Sequence, residues 1–234
     1  TGTLYSDFAS TTVTTGKTIA LWVGTSTPGL FSTTTDATGT YLFDIGTSTL
    51  EIDAPVVVFI DGDANDANAI SKIHSTSTGM GGLDLYYDYV NLRQYGATST
   101  ELADLAPYDN SDDSDLLYLA STGLDSLEIL QGSDLYLFSE TNFSGAASTT
   151  LSGSLINDGV YEHSGDLYLT GNNESLSGSL TGSSSLASTS IFGTYTFSGN
   201  ASTSHLTINS TGSTTLPAQL TVGRHITNNG DLTA

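Results

Sequence analysis

The chain has 234 residues, including 37 Thr and 33 Ser, and its 25 acidic side chains against four Lys and Arg give a formal net charge of −21. Such an acidic surface repels phosphate backbones and anionic lipids, which argues against nucleic-acid binding and against membrane attachment through basic residues. The chain contains no cysteine, which excludes disulfides and thiolate metal sites. No apolar run reaches the roughly 18 residues of a membrane span, so we expect no membrane insertion.

The N-terminal part of the chain contains a series of strand patterns. Thr18–Val23 predicts a strand, and Pro55–Ile60 is a continuous β-branched run, typical of a strand that is covered on both faces. Residues 34–43 predict a strand, a tight turn and a second strand, because Asp and Gly occupy positions where a hairpin needs them. Residues 83–92 add one or two strands. We therefore predict a small β-sandwich over residues 1–95.

The order of these motifs resembles a known class of module. The segments that carry the resemblance are TGTLYSD, GKTIALWV, TTTDATGTYLFDI, PVVVFIDGDAN and GLDLYYDYVNLR. They are similar to the prealbumin-like or immunoglobulin-like sandwich modules of the Cna-B and carboxypeptidase-regulatory class, which serve as spacers or stalk units in bacterial surface proteins and adhesins. Because such modules often join Lys to Asn, the resemblance implies a crosslink between Lys17 and Asn91, assisted by Glu51 or Asp53. The alternative is that Lys17 is an edge-strand charge that discourages aggregation.

Residues 96–115 form a polar and acidic stretch that we interpret as a connector between two domains. Within it, Leu102, Leu105 and Tyr108 have the spacing of one helical turn. No longer helix is predicted anywhere in the chain.

Short repeated motifs dominate residues 116–234. The tetrapeptide Asp-Leu-Tyr-Leu occurs at 134–137 and 166–169, and Leu-Ser-Gly-Ser-Leu occurs at 151–155 and 176–180. Short alternating strands separated by polar turns favour a parallel β-solenoid, in which each coil stacks on the previous one. The spacing of the repeats is uneven, so an antiparallel sandwich or jelly roll remains the alternative. The predicted fold class is therefore all-β, with an N-terminal sandwich followed by a repeat-built β domain.

The end of the sequence carries a second resemblance. Residues 197–234 contain the rhythm LTI, LTV and NNGDLT. It resembles the repeats of bacterial autotransporters and haemagglutinin-like adhesins, which form right-handed β-helices.

One loop has the pattern of a calcium site. Oxygen-bearing side chains alternate after the strand at Pro55–Ile60, namely Asp61, Asp63, Asn65 and Asp66. Ca²⁺ takes six to eight oxygen ligands, several of them from one loop, so this pattern predicts bound Ca²⁺, with a solvated acidic turn as the alternative. A second acidic cluster is either a weak cation site or a solvated linker and consists of Asp109, Asp112, Asp113 and Asp115.

These features together predict an extracellular structural protein of a prokaryotic cell surface, a self-assembling subunit of a fibre, sheath or stalk. Its expected partners are copies of itself or neighbouring surface-protein domains. The sequence stops in mid-pattern, so a strand donated by a neighbouring subunit is one possible continuation, and residues 3–9 are the natural donor. The four histidines have no mechanistic spacing, so we predict that the protein is not an enzyme.

Two other functions remain open. The first is a monomeric, calcium-dependent adhesin that binds glycan, for which the aromatic candidates are Tyr136, Tyr161, Tyr168 and Tyr195. The second is a polysaccharide-active β-helix enzyme, which would need paired carboxylates in a groove.

Overall fold

The computed structural model describes residues 1–8, 11–14, 16–24, 29–46, 50–96, 98–144, 146–163, 165–182, 187–217 and 219–233. It is nearly all-β, with 50% strand and 2% helix, and contains a β-solenoid of about eight turns. The predicted solenoid is therefore confirmed over the antiparallel alternative.

The N-terminal region, which we call the cap, holds eight strands in its described residues. They are β1 (Gly2–Tyr5), β2 (Thr18–Val23), β3 (Gly29–Thr34), β4 (Thr40–Tyr41), β5 (Pro55–Ile60), β6 (Asn68–Lys72), β7 (Leu85–Tyr86) and β8 (Tyr89–Leu92). Strands β4, β1 and β7 form a small sheet, whereas β3, β2, β5, β6 and β8 begin a much longer one. The strands predicted at Thr18–Val23 and Pro55–Ile60 are confirmed.

An insert follows the cap and contains the predicted helical turn. Its elements are β9 (Thr100–Glu101), α1 (Leu102–Leu105), β10 (Tyr118–Ser121) and β11 (Ser126–Ile129). Glu101 and Asp104 form a capping box at the start of the helix, which satisfies backbone N–H groups that a helix leaves unpaired. The buried Leu102 and Leu105 anchor the helix in the core.

The coils occupy the rest of the chain. Their strands are β12 (Asp134–Leu137), β13 (Asn142–Ser144), β14 (Ser148–Leu151), β15 (Leu155–Asn157), β16 (Val160–His163), β17 (Asp166–Leu169), β18 (Asn172–Ser177), β19 (Leu180–Gly182), β20 (Ser188–Ile191), β21 (Thr194–Phe197), β22 (Ala201–Ile208), β23 (Ser213–Thr215), β24 (Leu220–Asn228) and β25 (Asp231–Thr233).

Each coil contributes strands to two long sheets. The first long sheet runs in the order β3, β2, β5, β6, β8, β12, β15, β18, β21, β23, β25, and the second contains the remaining strands of the insert and coils. Neighbouring coils pair in parallel with equivalent residues in register, for example Leu135 with Leu155 and Leu155 with Leu176. Because the register keeps equivalent positions aligned, apolar side chains stack along the interior of the solenoid.

The cap and the coils share one continuous core. Trp22 and Phe59 in the cap belong to the same buried cluster as Leu135 and Ile208 in the coils. The first long sheet also continues from the cap into the coils, although residues 96–115 separate them in sequence, because β8 pairs in parallel with both β6 and β12. The division into 1–95, 96–115 and 116–234 stays a prediction, but sheet and core run through both of its boundaries.

The strand β5 is buried on both faces, as its continuous apolar sequence predicts. Val57 and Phe59 face the core shared with the coils, whereas Val56 and Val58 face a second core beneath the small sheet. The alternation of a strand sends successive side chains to opposite faces. An apolar strand without interruption is therefore the signature of a sheet with a layer on each side.

The hairpin predicted at residues 34–43 is wrong in its pairing. The turn is present, because Asp36 accepts hydrogen bonds from the backbone N–H groups of Thr38 and Thr40. However, β3 belongs to the first long sheet and β4 to the small sheet. The turn therefore carries the chain from one layer of the cap to the other.

Candidate functional site

The predicted calcium loop lies between β5 and β6. Gly62 turns the chain with a φ of 70°, a conformation that glycine adopts without steric cost. Asp61 and Asn65 are exposed, while Asp63 and Asp66 are half-buried. The loop thus presents two side chains to solvent and turns two towards the protein.

The acidic stretch of the insert contacts this loop. The backbone N–H of Gly62 donates a hydrogen bond of 2.5 Å to Asp115 Oδ2. Asn68 fixes the approach, because its Nδ2 donates to the Asp115 carbonyl at 3.1 Å and its Oδ1 accepts from the Leu117 N–H at 2.6 Å. The two acidic clusters that are separate in sequence therefore meet in space. We call the group formed by Asp63, Asp66, Asp88, Asp113 and Asp115 the acidic junction.

Within the acidic junction, Asp63 is paired with a cation of the chain. Lys17 Nζ donates to Asp63 Oδ2, and this hydrogen bond lowers the pKa of Asp63. Its other oxygen accepts from the backbone N–H of Asn65 at 3.3 Å. Asp63 is therefore ionised, and the ammonium group of Lys17 already balances its charge.

Asp66 is in a different state from Asp63. Burial raises its pKa to about 6, and the neighbouring Asp115, Asp88, Asp63 and Asp113 contribute in the same direction. Its Oδ1 is buried and has no hydrogen-bond partner among the described residues. Burying a charged oxygen without a hydrogen-bond partner is costly, so the surroundings of Oδ1 disfavour the ionised form of Asp66.

The charge of the acidic junction fits a cation, whereas its ligand set falls short of a closed calcium shell. Among the described residues no group of three or more His, Cys, Asp or Glu side chains is arranged to hold a metal ion. Of the four predicted ligands, Asp63 and Asn65 lie together, but Asp63 is occupied by Lys17. Two other carboxylates lie near Asp66 instead. Asp115 belongs to the second acidic cluster of the sequence prediction, and Asp88 was not part of either predicted cluster.

The rest of the second acidic cluster is part of the folded insert. Asp109 is only 5% exposed and accepts hydrogen bonds from the Ser111 hydroxyl at 2.6 Å and from the Ala120 N–H at 2.8 Å. Asp112 accepts from the Asp109 N–H at 3.2 Å. These carboxylates hold turns of the insert, so neither the cation site nor the solvated linker describes Asp109.

The structure does not bring the predicted crosslinking pair together. Strands β5 and β6 lie between β2, which Lys17 precedes, and β8, which contains Asn91. Lys17 binds Asp63, and Asn91 is buried with its Nδ2 donating to the Asp84 carbonyl at 2.9 Å. The predicted pair is therefore wrong, because the order of strands in the sheet separates the two residues.

The segment predicted as a strand donor is already paired. Residues 2–5 form β1, which lies between β4 and β7, and Leu4 is fully buried. Phe8 packs on Tyr86 and Tyr136, and Ala9 lies outside the described residues. The described part of this segment is therefore not a free strand.

The four candidate tyrosines lie in different environments. Tyr161 and Tyr195 are buried inside the coils, where they cannot face a glycan. Tyr136 points outward but is covered by Phe8, with ring centroids 4.7 Å apart. Tyr168 points outward and is half-buried. The structure therefore does not assemble these residues into one aromatic surface.

Comparisons with known proteins give no assignment. No protein-family model matches the chain, and neither a curated protein nor a solved structure matches it. In the described part of the chain, none of the helices has the length and apolarity needed to cross a membrane.

Proposed function

We propose that the chain is a structural element of an extracellular, cell-surface assembly, a subunit of a fibre, sheath or stalk that associates with copies of itself or with neighbouring surface-protein domains. The observation that carries this proposal is the first long sheet, which joins cap and coils through eleven hydrogen-bonded strands of the described residues. A continuous sheet over a continuous core suits a rigid spacer, because each coil is held by both neighbours.

The outward surface of the last coils also supports a structural role. Thr194 and Thr196 point away from the interior, and Ser213 and Thr215 lie opposite them on the next coil. On β21 and β23 these outward positions carry hydroxyl groups, and the row of Thr194 and Ser213 ends at the exposed carboxylate of Asp231 on β25. Hydroxyl groups form hydrogen bonds with water or with another polar surface and cost less to bury than charged side chains.

The free edge of β3 supports self-association. This strand ends the first long sheet, contains no charged residue, and exposes 59% of Leu30. Natural edge strands are usually protected by charges or proline. Thr35 donates its backbone N–H to the Lys17 carbonyl, so by alternation the N–H groups of Leu30 and Ser32 point away from β2. In the part of the chain that the structure describes, no strand pairs with this edge, so these groups can pair with a strand of another subunit.

The test is to compare assembly of the wild type with that of edge variants. Leu30→Lys and Ser32→Pro should reduce self-association, because the first adds a charge and the second removes an outward donor. Leu124→Lys is the control, since Leu124 is 80% exposed in the turn between β10 and β11 and lies outside β3. Electron microscopy and sedimentation at increasing protein concentration give the readout. A monomeric wild type at all concentrations, or equal assembly by every variant, would contradict the proposal.

The second candidate is a calcium-dependent adhesin that binds glycan, and the state of Asp66 favours its calcium dependence. Burial raises the pKa of Asp66 to about 6, and repulsion from the other carboxylates of the acidic junction adds to the rise; a bound cation would relieve this repulsion. In this proposal, Asp66 and Asp115 provide oxygen ligands and Ca²⁺ connects the cap to the insert.

Calorimetric titration with CaCl2, together with melting curves in calcium and in chelator, tests this candidate. Calcium should raise the Tm of the wild type. Asp66→Asn should raise the Tm in chelator and remove the calcium response, because it abolishes the repulsion that calcium relieves. Asp231→Asn, at an exposed carboxylate of the last coil, should keep the response. Absence of both heat and Tm change in the wild type would exclude calcium, and glycan-array binding without calcium would then favour a calcium-independent adhesin.

A further inference from the structure

An apolar cavity of about 340 Å³ lies in the cap. It occupies the second core, between the outer face of the first long sheet and the loops around the small sheet. Its walls are buried aliphatic side chains, namely Leu21, Val56, Val58, Ile73 and Leu83. The sequence analysis did not detect this feature, because nothing in a strand pattern reports whether the layer above it is filled.

The volume of the cavity is large for a protein interior. Side chains in cores normally interdigitate and leave few voids larger than a water molecule. An apolar cavity of roughly 150 Å³ in another protein stays dry and admits benzene, and small-molecule pockets begin at about 300 Å³. The cavity of the cap therefore has room for one or two fused rings, or for a short branched chain.

The side chains that cover the cavity are only partly buried. Phe43, Ile45 and Met80 pack against the second core without completing it. Met is unbranched and adapts to different neighbours. The cover thus differs from the walls, where every aliphatic side chain is fixed in a strand or beside one.

The mouth of the cavity is polar and carries an acid. Residues 75–78 line it with hydroxyl groups, and Ser75 Oγ accepts hydrogen bonds from the backbone N–H groups of Ser77 and Thr78 at 3.2 and 3.1 Å. Asp44 adds an exposed carboxylate. Among the described lining residues no side chain is cationic.

We propose that this cavity is a binding site for a small amphiphile whose apolar body is one or two rings or a short branched chain and whose polar end is uncharged or cationic. The apolar walls select the body. The hydroxyl groups of residues 75–78 hydrogen-bond the polar end, and Asp44 favours an ammonium group there. An anionic end is disfavoured by Asp44 and by a net charge of −21. This site is independent of the structural role proposed above.

Three naphthalene probes that differ only in their polar end test the proposal. They are 1-naphthylmethylammonium, 1-naphthalenemethanol and 1-naphthoate, each titrated into the whole chain and followed by calorimetry and by naphthalene fluorescence. The cation and the alcohol should bind, and the cation should bind at least about three-fold more tightly than naphthoate at low salt. Asp44→Asn should reduce this ratio, because it weakens the binding of the cation more than that of the alcohol.

Variants that fill the cavity locate the probe. Ile45→Trp places an indole at the cover and should weaken the binding of all three probes at least about ten-fold. Val56→Phe fills the cavity from its wall and provides a second test if Ile45→Trp does not fold. Leu124→Trp adds the same indole to an exposed loop and should leave binding unchanged. The proposal is overturned if no probe binds the wild type at millimolar concentration, if binding survives both filling variants, or if naphthoate binds most tightly.

Discussion

The cap and the coils use the same sheet in different ways. In the cap the first long sheet has a core on each face, and the burial pattern of β5 is continuous except at its first residue. In the coils the sheet encloses a single interior, and strands such as β21 alternate between buried and outward residues. The same sheet therefore has a continuous apolar sequence pattern in the cap and an alternating pattern in the coils, because the layers that cover it change along its length.

The largest loss of stability is expected from a pair of matched substitutions, one in each of the two cores. Ile70 and Ile73 are both buried, but Ile70 belongs to the core shared with the coils and Ile73 lines the cavity in the second core. Ile70→Ala should cost about 4 kcal/mol and Ile73→Ala about 2 kcal/mol, because fewer contacts are lost beside an existing cavity. Urea unfolding measures both values.

Hydrogen exchange then distinguishes the regions that respond. Ile70→Ala should accelerate exchange in β8 and β12, whereas Ile73→Ala should accelerate it mainly in the small sheet. Equal effects on the coils from both variants would mean that the two cores unfold as one unit.

The next effect concerns the tight stacking of the coils. Gly178 has a φ of 77°, and a Cβ built on it would overlap the carbonyl oxygen of Asn157 on the preceding coil. Gly62 in the cap has a φ of 70° with no atom within reach of a Cβ. Gly178→Ala should therefore cost about 3 kcal/mol and Gly62→Ala about 1 kcal/mol. Thermal unfolding of the two variants measures the loss of stability. Equal losses would show that the positive φ alone sets the cost, without a contribution from the contact between coils.

A smaller effect is expected at the ion pair that links the cap to the insert. Lys72 Nζ in β6 lies 3.1 Å from Asp104 Oδ2 in α1 and donates to the Ser99 carbonyl at 2.6 Å, and both charged side chains are nearly buried. Lys72→Met should cost about 2 kcal/mol, because it leaves Asp104 without its cation. The double variant Lys72→Met, Asp104→Asn should recover part of the loss in urea unfolding. Additive effects would mean that the pair is not coupled.

The smallest effect is the pH dependence from a histidine inside the coils. His163 is fully buried, its Nδ1 lies 3.1 Å from the Gly165 carbonyl, and burial lowers its pKa. Because the unfolded chain takes up a proton first, stability should fall as the pH drops below about 6.5, by at most about 1.4 kcal/mol per pH unit.

Asp66 in the cap acts in the opposite direction. Its pKa of about 6 in the folded state lies above the ordinary aspartate pKa of about 3.9, so the folded chain binds the proton first and gains stability as the pH falls through 6 towards 4. An Asp66→Asn background removes the contribution of Asp66 between pH 4 and 8, while burial also raises the pKa values of Asp88 and Asp134; the difference that His163→Gln makes in this background measures the contribution of His163. His163→Gln should then flatten the remaining slope, and an unchanged slope would assign the acid sensitivity to other groups.

The repeated motifs show how far sequence reasoning reaches. Both copies of Leu-Ser-Gly-Ser-Leu form a corner between buried leucines, yet the first leads from β14 into β15 and the second from β18 into β19. They therefore turn between the two long sheets in opposite directions. The pentapeptide predicts a corner whose glycine lets the preceding coil approach closely. The position of the pentapeptide in the coil decides which corner it forms.

The two Asp-Leu-Tyr-Leu strands differ for a similar reason. β12 lies in the first long sheet and β17 in the second. Both tyrosines point outward, but Tyr136 is 8% exposed beneath Phe8, whereas Tyr168 is half-buried and donates to Asp166 at 3.1 Å. Contacts from a distant segment create this difference, so four identical residues cannot predict it.

The sequence predicted that the candidate site is acidic, but it did not predict which residues form the site. The spacing of Asp61, Asp63, Asn65 and Asp66 correctly indicated an acidic loop after a buried strand. It did not indicate that Lys17 neutralises Asp63 or that Asp115 and Asp88 surround Asp66. A run of acidic residues in the insert was the available signal, and only the fold brings that run to the loop.

The sequence by itself determined the all-β class, the strands at Thr18–Val23 and Pro55–Ile60 and the stacking of coils, because alternation and turn chemistry are local properties that each strand carries in its own residues. The tertiary structure decided the sharing of one core by cap and coils, the meeting of the acidic clusters and the cavity beneath the small sheet. These depend on which strands become neighbours and on how completely two layers fill the space between them. Both are properties of pairs of distant segments.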